Sequence, residues 1–283
     1  MDYTQNKKSI KYHLKKFLLA HTNEIKGKTV VDIPAGNGIT SAIVKDLGGN
    51  VLPFDLFTEY FKINELQCQR ADIMQGIPLD NNVADWLICQ EGIEHLPNQN
   101  KAFNEFNRVL KVGGKLIITT PNHSNLRSKF SYMMGEMERF NKTMPLNEVD
   151  SVWMNQSETG NQESREPYFG HVFLIGIMKL RLLAKLNGFD VETIVFTRVK
   201  TTSLLLMPFF YPFILLFNSI TYLRNINKAK SDHQKKVYKE ISRLSTKASI
   251  LVDGHLFVVF KKKSSANAAI TQINSIHKEF GLT

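Results

Sequence analysis

A chain of 283 residues, 43% apolar and 22% charged, can bury one substantial core and is not a wholly disordered polymer. Its two cysteines, Cys68 and Cys89, sit singly in apolar runs, which excludes a disulfide framework and a cysteine-rich metal site and suits a reducing cytosol. The net charge of +10 is carried by residues 198–263, where thirteen Lys or Arg stand against three acids. Such a stretch is either a solvated face or the footprint of an anionic partner: a membrane surface, a nucleic acid or a phosphorylated substrate.

The first eight residues are polar and lack the apolar core of a secretion signal. Ile10, Leu14, Phe17, Leu18 and His21 then recur at helical spacing, with lysines on the other side, and predict a leading helix. From there strand and helix signals alternate. Residues 28–33 read as a buried strand, 38–47 as a helix ended by Gly48-Gly49, and 51–54 as a strand closed by Asp55. A short strand at 66–71 precedes Asp72, and 83–89 is the next strand. A helix over 98–110 follows, with Phe103, Phe106, Val109 and Leu110 on one face. Gly113-Gly114 then turns the chain into a β-branched run over 115–120, stopped by Pro121. This alternation predicts an α/β fold, a doubly wound and mostly parallel sheet with helices on both faces.

Residues 122–170 are polar and irregular and read as an inserted lid, with His123, Arg127, Trp153 and Tyr168 as candidates for covering an acceptor. A helix near 170–187, a strand over 189–199 and a last strand over 255–262 complete the core. The expected organisation is a core over 1–200 that includes the lid and an apolar and basic cap or membrane-association segment over 201–250. The final core strand lies in 251–263, and a loosely attached tail covers 264–283.

The sharpest local signal is Val30-Val31-Asp32-Ile33-Pro34-Ala35-Gly36-Asn37-Gly38, a strand that ends in an acid and enters a helix through a turn with two glycines. Glycines there allow positive φ and let a ligand approach the backbone with no Cβ between. A dinucleotide-binding turn would place a third glycine near Ser41, where none stands, although the helix N-terminus itself would suit a pyrophosphate. Asp55, ending the second strand, is placed to accept ribose hydroxyls, or is an ordinary turn aspartate. Asp72, in Ala71-Asp72-Ile73, is placed to accept from an exocyclic amine.

Together with Glu94-His95-Leu96 and Arg108-Val109-Leu110-Lys111-Val112-Gly113-Gly114, these segments resemble, in order and spacing, class I S-adenosylmethionine-dependent methyltransferases. Within that superfamily they are similar to the group containing the ubiquinone and menaquinone methyltransferases. The resemblance covers about residues 25–200 and the terminal strand. It implies a seven-stranded sheet whose last strand runs antiparallel between the fifth and the sixth. It also implies S-adenosylmethionine as cofactor. Asp32, Ala35, Gly36 and Gly38 would surround its methionine part, Asp55 would hold the ribose, Asp72 and Ile73 would border adenine, and Gln90 would lie beside the sulfonium. Pro34 stands where the family usually has glycine, which bears on the turn and not on the fold.

Methyl transfer to oxygen needs a nucleophile beside the sulfonium and a group to take its proton. The segment Gln90-Glu91-Gly92-Ile93-Glu94-His95 starts where the fourth strand ends, at the sheet edge where open α/β folds bind ligands. If residues 91–95 form a helical turn, Glu91, Glu94 and His95 share one side, as a divalent cation such as Mg or Mn would require. This pattern resembles metal-dependent O-methyltransferases of catechol-type quinone precursors and of the terminal ribose of small RNAs. Those carry a further histidine before a helix, and His171 stands in a similar place. His95 as general base and His95 as a loop-fixing hydrogen-bond partner are the two readings without metal. An Asn-Pro-Pro-Tyr segment is absent and neither cysteine lies as in pyrimidine C5-methylating enzymes, so oxygen is the expected acceptor atom.

Residues 201–223 contain no charge, and Lys or Arg at 198, 200, 224, 228, 230, 235, 236 and 239 flank them. An apolar wedge broken at Pro208 and Pro212 and resting on anionic headgroups fits this pattern, as does an internal flap or a dimer seam. A single membrane crossing does not, because the strands on either side pair in one sheet. The expected function is O-methyl transfer to a lipid-linked, glycan or quinone-type acceptor, in the cytoplasm or peripherally on the inner face of its membrane. The alternatives are an RNA 2′-O-methyltransferase using the Glu/Glu/His site, for which no stacking platform for bases is evident, and a catalytically silent adaptor of the same fold.

Overall fold

The computed structural model describes residues 4–137, 145, 147, 152–154 and 167–279. Its strands are β1 (Thr29–Asp32), β2 (Asn50–Asp55), β3 (Gln69–Arg70), β4 (Ala84–Gln90), β5 (Leu110–Pro121), β6 (Val152–Met154), β7 (Pro167–Phe169), β8 (Phe189–Ile194) and β9 (His255–Lys262). Seven of them form one sheet in the order β3-β2-β1-β4-β5-β9-β8, while β6 and β7 make a separate antiparallel pair. The first five strands of the sheet are parallel, and β9 runs antiparallel between β5 and β8. This is the expected doubly wound α/β architecture.

The alternation of side chains along each strand divides the core into two layers. Leu87 and Cys89 of β4, Leu116 and Ile118 of β5, and Val258 and Phe260 of β9 join one cluster with Phe103 and Phe106 of the helix Gln99–Val109 and Leu180 of the helix Ile177–Leu186. Trp86 and Ile88, Ile117, and Phe257 and Val259 join the other, with Leu14 and Leu18 of the helix Ile10–Ala20 and Val44 of the helix Ile39–Asp46. Because both faces are covered, these central strands read as continuous apolar runs.

Several boundaries differ from the sequence reading for identifiable reasons. The helix expected from residue 170 starts at Ile177, because the preceding loop is held by other bonds: Phe173 N–H donates to Glu94 O at 3.1 Å and Gln99 Nε2 donates to Phe173 O at 2.6 Å. The strand expected over 66–71 is only the two residues of β3. The expected break at Pro208 and Pro212 does not occur, and one helix runs from Thr201 to Lys228 through both prolines. It is followed by the helices Asp232–Thr246 and Ala248–Val252. The expected tail contains the helix Ala266–Glu279, in which Ala266 and Ala269 are buried.

At the start of the expected lid, residues 122–135 are part of the framework. Asn122 Nδ2 donates to Ile250 O and Asp253 O, and Asn125 caps the helix Leu126–Gly135. The side chains of Trp153 and Tyr168 lie outside the described residues, as do most positions between 138 and 166.

Candidate cofactor and active site

The turn after β1 takes the shape that its glycines permit. Gly36 has φ 51° and Gly38 has φ 83°, both left-handed. A Cβ on Gly38 would come within 2.6 Å of Ile63 Cγ1 and 2.7 Å of Phe61 Cε2, whereas at Gly36 no atom lies within 4 Å of that position. Gly38 is therefore required by packing, and Gly36 faces open space, as a backbone cradle needs. Ala35 is buried, and its N–H donates to Phe54 O at 2.8 Å, which ties the turn to β2.

Asp55 is brought to this turn from the end of β2. Its Oδ2 accepts from Gly36 N–H at 2.7 Å and its Oδ1 from Phe57 N–H at 2.9 Å. Burial pushes its pKa up, and these backbone donors pull it back down. Asp32, on β1, is fully buried; its Oδ2 accepts from Ser41 Oγ at 2.5 Å and its Oδ1 has no hydrogen-bond partner. Burial pushes the Asp32 carboxyl up to about 7. Gln90 ends β4 at the same sheet edge, and its Oε1 accepts from Thr40 Oγ1 at 2.7 Å. Asp72 caps its own turn by accepting from Met74 N–H at 2.8 Å, and Ile73 is buried in the core.

The segment after β4 departs from the expected helical turn. Glu91 has φ 49°, and only Ile93–His95 forms a short 3-10 turn. The backbone therefore turns at Glu91, and the four expected residues divide into three and one. Glu94, His95 and His171 each bring a ligand atom within 4.8 Å of the others, and Glu91 is not among them. Glu94 is fully buried and its Oε2 accepts from Thr120 Oγ1 at 3.0 Å. The rings of His95 and His171 lie 5.0 Å apart, and His95 Nδ1 is 3.2 Å from Gly170 O.

Glu91 instead accepts from Thr119 Oγ1 at 3.0 Å and lies 3.7 Å from His255 Nε2. Burial raises its carboxyl above the ordinary range, partly offset by the Thr119 hydrogen bond and the field of His171.

Four contributors went unread in the sequence. Thr119 stands in register with Gln90 and Thr120 follows it near the end of β5, so the pair of threonines before Pro121 was the available signal. Gln99 holds the His171 loop against the 3-10 turn by donating to Ile93 O and Phe173 O. Gly92 has no room for a side chain, since a Cβ would fall 2.5 Å from Pro34 Cδ. Pro34 thus packs directly against the turn after β4.

Residues 31–118 match the family model of a methyltransferase domain. This segment, and not the whole chain, is what is similar to a methyltransferase domain. The chain is similar to a ubiquinone biosynthesis O-methyltransferase of Xanthomonas euvesicatoria pv. vesicatoria (strain 85-10), 28% identical over 114 residues, which are 36% of this chain and 46% of that protein. It is also similar to a demethylmenaquinone methyltransferase of Renibacterium salmoninarum, 28% identical over 103 residues, with 35% and 44% covered. The chain thus spans less than half the length of these curated relatives. A SAM-dependent methyltransferase structure from Archaeoglobus fulgidus shares the fold, with a TM-score of 0.52 and 13% identity over 92% of this chain and 98% of that one. The matched segment holds Asp32, Gly36, Gly38, Asp55, Asp72, Gln90 and the 91–95 turn, while His171 and His255 lie outside it.

Proposed function

We propose that the protein is an S-adenosylmethionine-dependent O-methyltransferase acting on a lipophilic acceptor, of quinone type or a lipid-linked glycan, at the inner face of the cytoplasmic membrane. The observation that carries the reading is the cradle at the end of β1 and β2. Asp32 Oδ1 is a buried oxygen without a partner, Gly36 opens onto space, and the Asp55 carboxylate is held at this turn by the N–H groups of Gly36 and Phe57. These groups fit an ammonium, a ligand backbone and two ribose hydroxyls. When bound, the cofactor supplies an electrophilic methyl group on a sulfonium. The names of the two curated relatives support a quinone-type acceptor.

In this reading the chain's residues orient the acceptor and take its proton. With Nδ1–H of His95 donating to Gly170 O, Nε2 is the basic nitrogen and the one that would take an acceptor hydroxyl proton. Titration calorimetry tests the first step. S-adenosylmethionine is expected to bind, and Asp55→Ala to weaken it by at least about tenfold, the loss of charge-assisted hydrogen bonds. Transfer of a labelled methyl group to a catechol is expected to follow. No binding, or binding unchanged in Asp55→Ala, would overturn the reading.

The convergence of Glu94, His95 and His171 favours a second role for the same turn, holding a divalent cation such as Mg or Mn. Such an ion supplies Lewis acidity toward a hydroxyl oxygen, and His95 can serve as ligand or as base but not as both through one nitrogen. Manganese is then expected to raise the melting temperature of the wild type and to leave His171→Ala unchanged. Equal melting of the wild type with manganese and with a chelator would rule the cation out.

A further inference from the structure

The helix Thr201–Lys228 is arranged inside out. Three of its hydrogen-bonding side chains face the protein: Ser203 Oγ accepts from Arg127 N–H at 3.1 Å, Tyr211 OH donates to Thr246 O at 3.1 Å, and Asn218 Oδ1 accepts from Ser242 Oγ at 2.6 Å. These positions share one face at helical spacing. The opposite face carries Leu205, Phe209, Phe213, Leu216, Ile220 and Leu223, at intervals of three and four, and it is turned to solvent. Leu205, Phe209 and Phe213 are 68%, 70% and 60% exposed. A water-facing helix has the reverse order, and contiguous apolar surface of this kind marks a docking face.

Charge indicates what it docks on. The helix Asp232–Thr246 packs antiparallel beside the apolar one and carries exposed Lys235, Lys236, Lys239 and Arg243; exposed Arg224, Lys228, Lys230 and Lys247 surround the ends of the hairpin. Of the acids there, Glu240 is paired with Arg181 at 2.6 Å. Apolar side chains rimmed by cations complement an anionic lipid surface. At about 1.5 Å per residue the helix is about 42 Å long, more than a bilayer core. A single crossing is nonetheless excluded, because β8 and β9 on either side of the hairpin pair in one sheet, and the charged helix Asp232–Thr246 cannot make a return crossing.

We propose that the hairpin of Thr201–Lys228 and Asp232–Thr246 docks the protein on anionic lipid bilayers, with the apolar helix lying in the plane of the interface and the lysines against the headgroups. The attachment of the hairpin agrees with the use made of it. Ser203 is bonded to Asn125 and Arg127, which directly follow β5, the strand whose end carries Thr119 and Thr120 of the active site. The apolar helix therefore begins at the sheet edge where the acceptor is handled. As a route for an acceptor out of the bilayer, the docking rests on the lipophilic-acceptor reading; as a binding event it does not. It is therefore measured on the full chain without cofactor or acceptor, so its failure and that of methyl transfer are distinguishable.

The experiment is co-sedimentation with vesicles of phosphatidylcholine alone and of phosphatidylcholine with phosphatidylglycerol. The wild type is expected to sediment with the mixed vesicles, to bind the neutral ones less, and to be partly released by salt. Leu205→Ser, Phe209→Ser, Phe213→Ser and Leu216→Ser together are expected to keep the wild-type melting temperature and to lower vesicle binding by at least about a hundredfold. Lys235→Glu, Lys236→Glu and Lys239→Glu together are expected to lower binding to the mixed vesicles by about a hundredfold and to change binding to the neutral ones little. Absence of wild-type sedimentation with either vesicle overturns the proposal. So does collapse or strongly lowered melting of the serine variant, which would make the face internal core. A wild-type dimer in sedimentation equilibrium that the serine variant dissolves overturns it as well, by assigning the face to a second copy.

Discussion

Asp32→Asn is expected to abolish S-adenosylmethionine binding at neutral pH and yet to raise the melting temperature of the cofactor-free protein. The carboxyl is fully buried and its ionised form lacks solvent, so burial lifts its pKa from 3.8 to about 7. For an acid raised in the folded state, the native form holds a proton that the unfolded form has lost. The favourable contribution is therefore complete below about pH 4 and disappears as pH rises through about 7. A shift from 3.8 to about 7 corresponds to at most about 4 kcal/mol. Asn removes this pH-dependent loss, so wild type and variant should melt together near pH 4, diverge between about pH 4 and 7, and stay apart above that, with the variant higher. Cofactor affinity should move the opposite way: that of the wild type should increase with pH through about 7, and that of Asp32→Asn should be weak and flat. Calorimetry and melting across this range check both. Equal affinity in the two proteins would make Asp32 a purely structural carboxyl.

Asp253→Ala is expected to be the most damaging single substitution outside the cradle. Asp253 is buried and accepts from Thr197 N–H at 2.7 Å, from Thr197 Oγ, and from the N–H groups of Arg198 and His255 at 3.2 Å each. Its own carbonyl accepts from Asn122 and Asn125 at 3.0 Å, so one residue joins β9, the end of β5 and the entry to the hairpin. Truncation strands several buried donors, each costing about 1–3 kcal/mol. A loss of about 4 kcal/mol is a large share of the usual 5–15 kcal/mol of a folded domain. The urea midpoint should fall accordingly, and Asp253→Asn, which retains one oxygen, should fall less. An unchanged midpoint in Asp253→Ala would show that water replaces the carboxylate at that joint.

Legibility in the sequence followed the range of the physical signal. Alternation of buried strands and amphipathic helices is local, and it is visible in Val30-Val31-Asp32, in the Phe103 and Phe106 face, and in the run of β5; the parallel order of the sheet follows from it. The proximity of the residues proposed for the cradle was legible for the same reason: Asp32, Gly36 and Gly38 lie within one turn, and Asp55 ends the very next strand, so spacing alone brings them near. Where the chemistry depends on a single backbone angle, pattern was a poor guide. The left-handed φ of Glu91 separates it from Glu94 and His95, although i, i+3 and i+4 spacing would have put all three on one side.

The amino-acid sequence by itself determined the fold class, the strand ends proposed to hold the cofactor, and the presence of an uncharged stretch between clusters of bases, because each rests on neighbours in the chain and on periodicity. Only the tertiary structure decided which charges remain at the surface. Lys262 belongs to the basic stretch, yet it is buried, donating to Asn82 Oδ1, Asn107 O and Leu110 O at 2.7–2.9 Å. Likewise only the structure brought His171 to His95 and His255 to Glu91, and turned the Leu205 to Leu223 face outward. Each of these depends on contacts between segments far apart in the chain, whose free energy comes from desolvation and hydrogen-bond geometry that exist only once the sheet has formed.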